Sequence, residues 1–188
     1  VRSRLMGIPT LIKTLTADDD SSLSFVDGTS DVTLDSTYDE YMFVMTDFNP
    51  AVNSAQILFQ ASTDGGSNYN VTQTTTFWHA YHDEADSQTA LEYVTGQDIA
   101  QGTGFQILSG NTGSGSDESA AGILHLFSPA STTFVKHYYS RFNTMHAGPY
   151  SMDENAAGYF NTTSAIDAVQ FKANNGNMDC VIQMYGIA

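Results

Sequence analysis

Basic residues, cysteine and proline are what this chain of 188 residues has least of: six Lys and Arg, one cysteine and four prolines. Against 21 Asp and Glu, the six bases leave a formal net charge of −15. They are also unevenly placed. Arg2, Arg4 and Lys13 fall in the first 13 residues, and from residue 14 onward 3 basic minus 21 acidic residues gives −18. Phosphate binding needs clustered Lys and Arg to release counterions, so nucleic acid is excluded as a partner and an anionic membrane surface is disfavoured. The lone Cys180 closes no intrachain disulfide and builds no cysteine-based zinc site; in Asp179-Cys180-Val181-Ile182 it reads as a small buried apolar residue. No apolar run reaches the roughly 18 residues of a membrane span, and no signal-peptide core is read. Val1 is expected to render an alternative start codon, with Met6 as the true start.

Ser, Thr, Asn and Gln make up 60 of the 188 residues, so hydroxyls and amides, more than ion pairs, build the polar surface. With 41% hydrophobic and 12% aromatic residues the chain is too apolar for a disordered acidic tail. Thr, Tyr, Phe and Val dominate over the residues of exposed helices, which is a β composition. The pattern agrees. Leu11 to Leu15 opens apolar, Leu23 to Val26 ends at the turn pair Asp27-Gly28, and Tyr38 to Phe48 puts Tyr41, Phe43 and Met45 on one face with Met42, Val44 and Thr46 on the other. Gln56 to Ser62 and Tyr69 to Trp78, joined through Gly65-Gly66, predict an antiparallel hairpin. Ala80 to Tyr93 reads as a short helix or a long loop, and Gly110 to Ser119 as a solvated loop. Further strands are expected at Gly122 to Phe127, Thr132 to Phe142, Ala156 to Phe160, Ala168 to Ala173 and Met178 to Ile187. About ten strands with turns every 8 to 15 residues predict an all-β antiparallel sandwich, jelly-roll-like, as one domain over 16–188 behind an N-terminal docking segment, 1–15. In that segment Leu11, Ile12, Lys13 and Leu15 are the candidate docking residues.

Ser62-x-Asp64-x-Gly66-x-x-Tyr69 has the form of an Asp-box. The carboxylate accepts turn amides, the glycine allows positive φ, and the aromatic pins the loop, so these four residues are read as a structural turn. A single copy excludes a propeller. His79, His82 and Asp86 are the candidate metal ligands, sharing a face only if their segment is helical; the plainer reading is a polar loop at a strand end, and no metal or cofactor is expected. Asp18-Asp19-Asp20 lacks the glycine and bidentate Glu of a calcium loop and reads as a solvated turn. Trp78, Tyr81 and Tyr93 are the candidate surface aromatics, and of the adjacent Tyr138 and Tyr139 one ring must face outward on a strand. No nucleophile elbow or phosphate loop is present, and no catalytic residue is assigned.

Five segments in order carry a likeness: Leu11 to Ala17, Phe59 to Asn70, Ser131 to His137, Ala157 to Ile166 and Met184 to Ile187. Together they resemble a group of virion proteins of marine tailed bacteriophages, over nearly the whole chain from about residue 8. The resemblance implies a non-enzymatic structural role in the virion. The strong negative charge, which disfavours a place beside packaged DNA, predicts the outer surface, with the major capsid protein or other virion proteins as expected partners and a symmetric homo-oligomer, dimer or trimer, as the expected assembled form. A capsid decoration or cement protein is the first expectation. A tail- or head-fibre module that binds a host surface glycan is the alternative.

Overall fold

The computed structural model describes residues 7–188; Arg2, Arg4 and the choice between Val1 and Met6 as the start lie outside the described residues. Twelve strands carry the fold: β1 (Thr10–Asp20), β2 (Ser22–Val26), β3 (Glu40–Pro50), β4 (Ala55–Ser62), β5 (Gln73–Asp83), β6 (Thr89–Tyr93), β7 (Gln106–Thr112), β8 (Ala120–Phe127), β9 (Lys136–Met145), β10 (Tyr150–Phe160), β11 (Ala168–Ala173) and β12 (Met178–Ile187). They form two antiparallel sheets, ordered β1-β12-β3-β8-β9-β10-β5-β6 and β2-β11-β4-β7.

Eight of the strands pair as one long hairpin rolled upon itself. β1 lies against β12, β2 against β11, β3 against β8 and β4 against β7, every pair antiparallel. Rolling places β1-β12-β3-β8 over β2-β11-β4-β7, which is the jelly roll expected from the sequence. Two hairpins are inserted into it. β9–β10 follows β8, β5–β6 follows β4, and β10 pairs with β5, so the insertions double the width of one sheet only.

Between the jelly-roll leaves the core is aromatic. Phe59 and Phe171 stand 5.2 Å apart, Phe59 and Tyr138 5.3 Å, and Phe25 and Phe43 5.4 Å in an edge-to-face pair. Each fully buried ring of this kind contributes about 1.5–3 kcal/mol through removal from water. Period-two burial follows the sequence pattern: Tyr41, Phe43 and Met45 of β3 point inward, as do Cys180, Ile182 and Met184 of β12.

Beneath the inserted hairpins β4 and β7 of the small sheet face β9 and β10, with Phe59 packed on Tyr138 and Phe160, and the loop after β6 fills the remaining space with polar bonds. Gln60 Nε2 donates to the carbonyls of Val71, Thr103 and Gly104, and Gln73 Nε2 donates to Gly104 at 2.7 Å. The Tyr138 hydroxyl donates to Gln73 Oε1, and Thr75 Oγ1 to Gln106 Oε1. These side chains are buried and bonded, as interior polar groups must be. Lys136 is also fully buried, donating from Nζ to the Thr162 carbonyl at 3.0 Å, and burial pulls its pKa down.

Several expectations need correction. The Gly65-Gly66 turn does not join antiparallel neighbours: β4 belongs to the small sheet and β5 to the large one, so the chain crosses the sandwich there. Ala80 to Tyr93 is neither helix nor long loop, since β5 runs to Asp83 and pairs with β6. β7 takes the first part of the expected loop at Gly110, and the strands number twelve among the described residues. Asp18, Asp19 and Asp20 end β1 in a bulge, with Asp19 at φ 59° and its N–H donating to Asp179 Oδ1 at 2.7 Å. The boundary at residue 15 falls inside β1, which is an integral edge strand.

Candidate functional site

The surface most clearly left without a partner is the outer face of the eight-stranded sheet. Registration fixes what it displays. One row crosses the sheet as Leu11, Tyr185, Met42, His125, Tyr139 and Ala157; the next runs Gln183, Val44, Ile123, Arg141, Asn155, Trp78 and Tyr93. Nine large hydrophobic residues stand exposed among the described residues. Six of them, Leu11, Trp78, Leu91, Tyr93, Ile123 and Tyr139, lie on this face at 38–73% exposure. Scattered exposed apolar residues mean little, but a contiguous set marks an interaction surface.

The centre of the face is ordered by its own rings. His125 and Tyr139 stack at 4.7 Å with an interplanar angle of 18°, and Phe127 lies 5.8 Å from Tyr139. Tyr139 forms a ridge between two shallow hollows. One is floored by Ala121 and bordered by Ile123 and Arg141; the other is floored by Ala157 and bordered by Phe127 and Tyr159. The charged groups of this centre are engaged by their neighbours. Arg141 donates to both carboxylate oxygens of Asp153 at 2.8 Å, which raises the guanidinium pKa, and His125 Nδ1 lies 2.5 Å from Glu40 Oε1.

A second concavity opens at the end of the polar layer, lined by His79, Tyr81, Glu92, Asn111, His146 and Tyr150. Tyr81 and Tyr150 meet edge to face at 5.6 Å, and His79 Nε2 lies 3.1 Å from Glu92 Oε1, leaving Nδ1 buried without a partner. The Gly148 amide donates to His146 Nδ1, and burial, with His79 nearby, lowers the His146 pKa. Behind this cleft Glu154 is wholly buried. Its carboxylate accepts the Gly110 N–H at 2.9 and 3.0 Å and the Thr144 hydroxyl at 2.8 Å, while burial pushes its pKa up.

The structure separates residues that the sequence grouped. His79 and His82 stand three apart on a strand and so point to opposite faces; His79 turns inward, while His82 faces solvent with Asp86 Oδ1 at 3.1 Å. The two histidines therefore converge on no common ion, and no cluster of three or more potential ligands occurs among the described residues. Trp78 and Tyr93 are cross-strand partners on the outer face, whereas Tyr81 points into the cleft. Of the docking residues, Ile12 and Leu15 pack against the core, Leu11 faces out, and Lys13 is half-buried within β1.

Ser62, Asp64, Gly66 and Tyr69 form one turn. Ser62 Oγ accepts the Asp64 and Gly66 amides, Asp64 Oδ1 accepts the Asn68 amide at 2.9 Å, and Asp64 Oδ2 accepts Asn68 Nδ2 at 2.7 Å. These donors, with the Ser62 hydroxyl, hold the Asp64 carboxyl down at about 2. Gly66 has φ 78°, and a Cβ there would come within 2.8 Å of the Tyr69 hydroxyl.

Of the adjacent pair, Tyr139 is the ring that faces outward and Tyr138 is buried; Met42, Ile123, His125, Phe127, Tyr159 and Tyr185 are outer-face residues not singled out as a surface from the sequence. Their signal is apolar residues at both parities of one strand, visible in Met42 and Val44 beside Tyr41, Phe43 and Met45. No protein-family model, curated protein or solved structure matches this chain.

Proposed function

We propose that this protein is a non-enzymatic structural component of a tailed-bacteriophage virion, a decoration or cement protein on the outer surface of the capsid. The observation that carries this reading is the outer face of the large sheet: a broad apolar surface, its central charged groups engaged by their neighbours, on a body of net charge −15. Such a surface suits protein assembly, and the acidity of the rest suits a place away from packaged DNA. The resemblance noted in the sequence supplies the virion setting, and jelly rolls recur in viral coats, although that fold also serves lectins and enzymes. Quantitative mass spectrometry of purified particles tests the placement. Hundreds of copies per particle are expected; a few to tens assign the protein to tail or fibre, and absence from the particle overturns the reading. Docking by the stretch ahead of β1 is tested by deleting residues 1–9, which leaves β1 and its residues Leu11, Ile12, Lys13 and Leu15 in place, where a cut at 15 removes half of an edge strand. Unchanged capsid occupancy sinks that part.

A glycan-binding fibre module is the second reading, favoured by the cleft in which the Tyr81 and Tyr150 rings stand beside Glu92, Asn111 and His146. Aromatic walls with a few polar groups suit a sugar ring. Chemical-shift changes at Tyr81 and Asn111 on titration with free monosaccharides support it, and a glycan array without a hit counts against it.

A further inference from the structure

We infer that the outer face of the eight-stranded sheet is the seat of a second copy of this chain, packed face to face about a twofold axis near Tyr139. The inference rests on reading that face as an assembly surface, and not on the virion placement.

Size comes first. Seven strand spacings of about 4.8 Å make the face about 34 Å wide, and about eight residues at about 3.3 Å make it about 25 Å long, so its area is about 850 Å². A stable interface takes about 800 Å² from each partner. The face therefore offers what one copy needs.

Charge selects the occupant. β8 and β9, in the middle of the sheet, contain no acidic residue. The charged groups nearest the centre are already engaged, Arg141 by Asp153 in an ion pair and Glu40 by the His125 ring in a hydrogen bond. A basic partner finds nothing there to complement. Two molecules of −15 repel over most of their surfaces, and the face is where they can approach without placing unpaired like charges together.

Shape agrees. In an isologous contact the same patch must supply both projection and recess. The Tyr139 ridge stands between the hollows floored by Ala121 and Ala157, so each copy presents a ring and a recess to receive its mate's ring. Ile123 and Phe127 border those recesses and leave water as the rings enter. Aromatic residues are favoured anchors in such positions because they bury much area with few rotors.

The test is sedimentation velocity on the full chain from 1 to 100 µM. The wild type is expected to move to twice the 20.4 kDa chain mass within that range. Replacing two outer-face residues together, Tyr139→Thr and Ile123→Thr, retains β propensity and is expected to raise the dissociation constant at least about 30-fold, the effect of losing an interface anchor. Phe134→Ser removes a more exposed ring from the loop ahead of β9, outside the sheet face, and is expected to leave the dimer intact. Raising NaCl from 50 to 500 mM is expected to tighten association, because salt screens the repulsion between the acidic bodies. A fourth measurement needs no variant: hydroxyl-radical footprinting of the wild type is expected to show Tyr139 protected at 100 µM relative to 1 µM, with Phe134 labelled equally at both. A monomer at 100 µM, a dimer that survives the double substitution, or steep weakening by salt each overturns the inference. None of these results alters the copy-number test of virion placement.

Discussion

Glu154→Ala and Glu154→Gln separate two roles of one buried carboxyl, its hydrogen bonds and its charge. Alanine leaves the Gly110 N–H without its acceptor in a buried site and opens a cavity where the side chain stood, while the Thr144 hydroxyl turns to Ser109 Oγ, 2.6 Å away. The orphaned N–H costs about 1–3 kcal/mol and the cavity about 2 kcal/mol more, part of which is offset by removing a desolvated carboxylate, so the net loss is about 3 kcal/mol. In a chain of this length that lowers the melting midpoint by about 6–12 °C. Glutamine behaves differently. Its amide oxygen still accepts from Gly110, and its NH2 donates to Thr144 Oγ1, whose proton turns to Ser109 Oγ, 2.6 Å away. Gly110 keeps one of its two acceptor oxygens and faces the NH2 where the other stood, a loss set against removal of the buried charge, so Glu154→Gln is expected within about 1 kcal/mol of wild type.

The pH profile is the sharper readout. Burial holds the Glu154 carboxyl above its ordinary 4.5, so between the unfolded and folded values the folded chain binds more protons. Its contribution is fully present below the unfolded pKa and is lost as pH rises through the folded one. His146 acts with the opposite sign: burial lowers its pKa from 6.5, so its contribution is present above 6.5 and lost as pH falls through the folded value. The difference between wild type and Glu154→Gln cancels the histidine. Urea midpoints followed by circular dichroism from pH 4 to 9 should show the wild type losing stability relative to Glu154→Gln as pH rises. Parallel curves, or a Glu154→Ala variant within 1 kcal/mol of wild type, refute the reasoning.

Asp64, held at about 2 by the Asn68 and Ser62 donors, gives stability that is present above about 4 and lost as pH falls toward 2; Asp64→Ala is expected to melt lower at pH 7 and to flatten that acid limb in a thermal scan. Gly122→Ala places a methyl 2.4 Å from the buried Phe142 ring and 2.5 Å from the Arg141 carbonyl oxygen, neither able to retreat, and is expected to cost about 3 kcal/mol by urea titration. Gly186→Ala meets the ring of half-exposed Tyr38 at 2.2 Å, which can swing outward, so about 1 kcal/mol is expected, and equal costs refute this distinction. Burial and nearby Asp179 push the Cys180 thiol up to about 12, so a thiol reagent at pH 8 should label it only after unfolding.

What was legible in the sequence follows from how each element is solvated. β11 and β12 carry clean alternation or unbroken apolar runs bounded by turns, and their limits are read directly as Ala168–Ala173 and Met178–Ile187. β7 escaped because its face is buried without being apolar. Gln106, Ser109 and Thr112 lie inside with hydrogen bonds to the loop and to β9, and a hydrophobicity pattern has no means of distinguishing a buried, bonded glutamine from a solvated one. The same limit hid the cleft, since His79 and Glu154 become neighbours only through the β5–β10 register. The Gly65-Gly66 turn was read correctly as a turn and wrongly as a hairpin, because the left-handed φ its glycines supply serves a crossing between sheets as well as a return within one.

The outer face was the one functional feature whose signal lay in the pattern itself. An antiparallel strand with one wet face alternates apolar and polar residues. β3 does not: Met42 and Val44 sit between Tyr41, Phe43 and Met45. β8 repeats this with Ile123, His125 and Phe127 against Leu124 and Leu126, and β12 with Val181 and Tyr185 against Ile182 and Met184. Only the inward set is needed to hold the sandwich, since the facing sheet covers that side alone. A second apolar set, aligned by register across adjacent strands and free of unpaired acids on a chain of charge −15, contributes nothing to folding as a monomer and carries the risk of unspecific association. Its cost is offset only if something of matching size covers it. The doubled width of this sheet, built by the two inserted hairpins, points the same way, because β9 and β10 put Tyr139 and Tyr159 on the outer face while their inner side is already covered by Phe59 and β7 of the small sheet and by polar bonds.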